Sequence, residues 1–168
     1  MEGEQMFRKL FLIILFNVFI SAHVFAAGND SGGGSMSVTT GSADYYKDAE
    51  QLIKRAKKQE EKGKADRALK LYTQAYDKLV KANEENYGSP DVLNYLGFTL
   101  RKQEKFAEAE KFYLAGLKIN PNHNGINEYL GELYVKTNRK ELALRRLEVL
   151  KNCNCEEYQE LKEVIDNN

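Results

Sequence analysis

The stretch "LNYLGFTL", Leu93 to Leu100, has the apolar spacing of an amphipathic helix, and "INEYLGELY", Ile126 to Tyr134, repeats it. Tyr-Leu-Gly occurs in both, with Gly97 and Gly131 34 positions apart. The same offset pairs Leu96 with Leu130, Leu100 with Tyr134, Ala109 with Ala143 and Tyr113 with Leu147. A weaker copy lies upstream: setting Ala68 on Ala109 puts Tyr72 on Tyr113, Ala75 on Gly116, and Ala56 where the glycine would stand. Ala68 and Ala109 are 41 apart, seven more than the period. Seven residues come close to two turns of helix, so an insertion of that size lengthens a helix without rotating its buried face. The pattern therefore predicts a long second helix in the first unit, running through "KLVKANEEN" and ending near Tyr87 and Gly88, with a loop there as the alternative. Ser89 then suits an N-cap and Pro90 the first helical position. In "EEYQELKEVIDNN", Tyr158, Leu161 and Ile165 share one helical face, while Glu157, Glu160 and Lys162 lie elsewhere. No strand alternation is present.

A fixed period of this length, with small residues at two points and large apolar residues around them, resembles the tetratricopeptide repeat, a pair of antiparallel helices. The resemblance covers roughly Asp44 to Asp166. It implies an all-α, right-handed solenoid of about three helix-turn-helix units, near 49–89, 90–123 and 124–155, with a capping helix near 156–166, in a domain spanning 44–168. It also implies that Gly97 and Gly131 lie where the first helix of a pair meets the second too closely for a side chain, with Ala109 and Ala143 playing that part on the second helix. Pro121 holds the place of the family's turn proline; Cys155 stands there in the third unit, which marks the array as ending.

The first 26 residues have another character. Arg8 and Lys9 precede the apolar run "LFLIILFNVFI", and "SAHVFA" follows with Val24 and Ala26 at small-residue positions. This is the pattern of a secretory signal peptide, with Met6 as an alternative start and an uncleaved anchor as the alternative reading. The run is shorter than the roughly 20 apolar residues that span a bilayer. Residues 27–43, rich in Gly, Ser and Thr, are expected to form a disordered linker, since they bury too little surface to offset their ordering entropy. The leader, linker, repeats and two-cysteine tail together are similar to small exported tetratricopeptide proteins of Gram-negative bacteria. That similarity implies a periplasmic location. In those proteins the cysteines lie further apart, so no role for them carries over.

Composition narrows the function. The 168 residues carry 25 Lys plus Arg against 25 Asp plus Glu, which gives no electrostatic ground for nucleic-acid binding. The export signal is the sole membrane element expected. Outside the leader the one histidine, His123, sits in the turn "NPNHNG" and is expected to be solvated. No metal-ligand spacing or phosphate loop appears, so no cofactor, no metal and no catalysis are expected. Cys153 and Cys155 alone offer reactive chemistry. In an oxidising compartment a bridge across Asn154 is the simplest fate; free or intermolecularly paired thiols, and a thiol-disulfide redox function, remain the alternatives.

What the resemblance implies positively is binding of a protein or peptide in a concave groove lined by the first helices. Its ligand-facing positions fall here on Asp91, Asn94, Phe98, Arg101 and Lys102, then Gly125, Glu128, Glu132, Val135 and Lys136, with Glu50, Ile53, Lys57, Glu60 and Glu61 in the first unit. Phe98 is the expected anchor, as an apolar ring on a polar face, with contact to the neighbouring helix as the alternative. Asn94 is similar to the asparagine by which some members grip a peptide's terminal carboxylate, but Glu128 and Glu132 stand where those members carry basic residues. A clamp of that kind is therefore not expected. A second copy of the chain as the groove's occupant stays open.

Overall fold

Helix ends recur with the period read from the sequence. The structure, a computed structural model, describes residues 42–86 and 88–168. Seven helices follow one another: α1 Ser42–Glu61, α2 Ala65–Glu85, α3 Pro90–Lys102, α4 Phe106–Ile119, α5 Asn124–Lys136, α6 Lys140–Leu150 and α7 Glu156–Asp166. There is no strand among the described residues. The signal peptide and most of the linker lie outside them. Among the described helices none is long and apolar enough to cross a membrane.

Inside each pair the chain reverses through the same device. Gly63, Glu104 and Asn138 all take positive φ, at 67°, 60° and 57°. The amide after each bonds back to the end of the preceding helix: Lys64 to the Gln59 carbonyl at 2.8 Å, Lys105 to Leu100 at 3.0 Å, Arg139 to Tyr134 at 2.8 Å. Such six-to-one bonds close a helix C-terminus by satisfying a carbonyl that has lost its partner. Glycine takes this conformation freely; Glu104 does so against the crowding of its own Cβ. Between the first and second pairs, α2 runs on through Glu85, so helix absorbs the seven extra residues.

The two turns that begin α3 and α5 differ. Ser89 stands at the N-cap of α3 and Pro90 at its first position, but the serine hydroxyl makes no capping bond. At α5 the cap is His123, whose Nδ1 accepts from the Ile126 amide at 3.2 Å while Nε2 lies 3.0 Å from Asp91 Oδ1. His123 is thus not a solvated turn side chain, since its imidazole joins the start of α3 to the start of α5.

Packing explains the repeated glycines. A Cβ on Gly97 would lie 2.5 Å from the Tyr113 ring, so α3 and α4 touch through that ring. Gly131 is met differently. A Cβ there would lie 2.5 Å from Leu161 of α7, because the last pair has Leu147 where the second has Tyr113 and the C-terminal helix takes up the space. Ala56, Ala68, Ala75, Ala109 and Ala143 are all fully or almost fully buried in the core. The core runs continuously along the stack, with Tyr76, Phe112 and Tyr129 bordering both of its halves. α7 packs chiefly on α5 and secondarily on α6, burying Leu161 and Ile165.

Candidate functional site: a groove walled by the odd-numbered helices

The odd-numbered helices present their free faces to a common hollow. Its volume is 570 Å³ and its wall draws on α1, α3, α5 and α7. The floor is aromatic. Phe98 packs with its ring centre 4.9 Å from Tyr129, 5.7 Å from Tyr72 and 6.4 Å from Tyr95. Three cations lie over it: Lys57 Nζ at 5.2 Å, the Arg101 guanidinium at 5.5 Å and Lys102 Nζ at 5.7 Å from the ring centre. Cations in this position are drawn to the ring's negative face and, being long, cover it.

That cover corrects the expectation for Phe98. The ring is 2% exposed and belongs to the core; it forms the groove's floor but presents little free apolar surface. Asn94 is corrected too. It is 7% exposed, does not reach the hollow, and sits with its amide nitrogen 2.9 Å from where a Gly125 Cβ would be. The glycine at 125 makes room for it. Arg101, Lys102, Glu128 and Glu132 all line the hollow. Ile53 is core, at 4% exposure, and Val135 and Lys136 line a smaller adjoining recess.

The charges are largely used up on one side. Lys102 Nζ lies 2.8 Å from Glu60 Oε2, which also accepts from the Tyr72 hydroxyl at 2.9 Å. Arg101 is paired with Glu132. On the other side Glu128 is 3% exposed, with Glu160 of α7 beside it. Burial, the neighbouring Glu160 and the charge of Glu132 push its carboxyl up to about 10, so it holds its proton at neutral pH. Tyr129, on the same wall, is raised by burial and by Glu128.

α7 is the part of the site that the residue pattern did not reveal. Glu160, Glu163 and Val164 line the hollow, although Glu160 lies off the apolar face of Tyr158, Leu161 and Ile165. The missing signal is three-dimensional: α7 leans on α5 through Gly131, which brings its polar edge round to the groove. A second hollow of 580 Å³ lies at α2 and α4, with Tyr76, Phe112 and Ile119 giving it an apolar wall. Cys153 and Cys155 pack against the core of the last pair with their Cα atoms 5.2 Å apart, a separation that a disulfide spans. Among the described residues no group of His, Cys, Asp and Glu is placed to hold a metal ion.

The family model described as the tetratricopeptide repeat matches residues 90–123, which comprise α3, α4 and the turn that caps α5. A comparison with curated proteins finds no match. Tetratricopeptide repeats generally serve protein interaction and are not catalytic. Residues 90–123 thus match the tetratricopeptide repeat, and the helix pairs on either side, related by the same recurring turn, extend them into an all-α helical-repeat array of that kind.

Proposed function

We propose that the chain is a non-catalytic protein-interaction module of the periplasm that holds a peptide or a partner's helix in the groove of α1, α3, α5 and α7. The observation that carries this reading is the 570 Å³ hollow, open along the free faces of the first helices and floored by packed aromatic rings. Sites that take small ligands or anchoring side chains are commonly of this size, with a few fixed polar groups on an apolar base. Periplasmic location rests on the signal-peptide pattern of residues 1–26; fusing that segment to a leaderless alkaline phosphatase should give activity outside the cytoplasm, and a silent fusion would refute it.

The groove is tested by blocking it. A random dodecapeptide library displayed on phage is selected against the full chain, and binding is repeated with Lys57→Cys carrying a bulky maleimide. Arg55→Cys with the same label is the control, because Arg55 lines the opposite side of α1, facing α2. Selected peptides should lose binding to the labelled Lys57 variant alone; equal binding to both would refute the groove.

For Cys153 and Cys155 we infer a structural bridge fastening the start of α7, a reading favoured by their packing against the last pair. Thiol titration without reductant should find no free thiol; two reactive thiols would return the redox alternative.

A further inference from the structure

The groove is short of positive charge on its α7 side. Its own cations are engaged elsewhere, Lys102 by Glu60, Arg101 by Glu132, and Lys57 over the Phe98 ring. Glu61, Glu128, Glu160 and Glu163 also line the hollow, and among the described residues none of them has a basic partner within ion-pair distance. Exposed carboxylates alone would signify little. Glu128 is different: it is 97% buried, it reaches the wall of the hollow, and what it meets there is a second acid, Glu160, to which it hydrogen-bonds, with no cation beside the two. A buried carboxyl of this kind contributes nothing to stability that glutamine would not contribute at lower cost.

We propose, building on the groove reading, that the groove receives a basic segment of a partner protein, one lysine or arginine side chain of which seats between Glu128, Glu160 and Glu163. Half-buried Tyr129, next to Glu128 on the wall, suits the aliphatic stem of such a side chain, and the carboxylates suit its charged end. A bare metal ion does not fit, since the carboxylates are not gathered to metal-ligand geometry. An acidic segment would meet unpaired carboxylates along α7, a repulsion that discriminates against it.

Seating a cation beside Glu128 also draws off the proton that burial holds there. The groups facing that carboxyl are Glu132 on its own helix and Glu157 and Glu160 on α7, with Arg101 of α3 held by Glu132. None of these offers Glu128 a free positive charge. Binding near neutral pH therefore releases a proton, and the affinity falls as salt screens the attraction.

The experiment uses the same displayed dodecapeptide library and the full chain. Peptides whose binding the Lys57 label abolishes are sequenced, synthesised and titrated calorimetrically in two buffers of different ionisation enthalpy. The expectation is an excess of Lys and Arg, proton release on binding, and a loss of about tenfold or more in affinity with the pair Glu160→Gln and Glu163→Gln, both at exposed positions outside the core. Circular dichroism of that pair verifies that helix content is kept. Groove-blocked peptides that are neutral or acidic, or basic ones indifferent to the glutamine pair, overturn the basic partner and leave the groove standing. Peptides that ignore the Lys57 label overturn both.

Discussion

Glu128 places a titrating group where the packing wants a neutral one. Its pKa lies above that of a carboxyl in the unfolded chain, so the folded state binds the proton more tightly. The stability this gives is complete below about pH 4.5 and drains away as the pH rises toward about 10. Glu128→Gln keeps the neutral shape without that loss. It should leave stability unchanged near pH 4 and raise it by about 2 kcal/mol at pH 7, read from urea unfolding at the two pH values; equal stability of the two proteins at both would show the carboxyl to be solvated. Phe98 makes a contrasting case. Truncation to alanine should cost about 3–5 kcal/mol because the ring is core, so loss of binding in that variant would report unfolding. The identity of this position was legible in the sequence and its exposure was not, since the covering cations come from α1 and from the next turn of α3. Asn94 likewise reads as a groove residue until Gly125 opens a space for it on the adjacent helix.

At the scale of the element, the pairing of helices was readable because each unit packs by the same contacts, and contacts leave a period in the sequence. The turns inside the pairs were not, although they obey that period, because glycine marks only the first of them. Glu104 and Asn138 adopt the left-handed conformation without announcing it. Glu104→Gly should therefore stabilise the array by about 1 kcal/mol, and the same exchange at Asn138 by less, as asparagine tolerates positive φ better. A decrease in midpoint for Glu104→Gly in thermal unfolding would contradict the turn geometry. His123 joins α3 to α5 through a cap and a contact with Asp91, so His123→Ala should cost about 1 kcal/mol, with much of it restored by asparagine, which can still cap. The last helix was recognisable as an apolar face seeking cover, but its lean toward α5 depends on Leu161 meeting Gly131. Ending the chain after Cys155 exposes that face, and burial of Leu161 and Ile165 alone accounts for roughly 4 kcal/mol, so the truncated protein should melt at much lower temperature.

For the whole molecule, stacking turns three helix pairs and a covering helix into a trough with two unlike sides. One is basic and self-neutralised over aromatic rings; the other is acidic and open. Short arrays of this kind hold together through nearest-neighbour interfaces, so the groove's shape is a property of the array and of no single unit. The direct measurement is the map of backbone amide chemical shifts in the full chain as a selected peptide is added. Changes are expected to gather at Lys57, Arg101, Lys102, Glu128, Glu132 and Glu160, with Leu114 and Leu144 on the second helices unmoved. Changes gathered instead around Tyr76, Phe112 and Ile119 would place the peptide in the apolar hollow of α2 and α4 and contradict the groove.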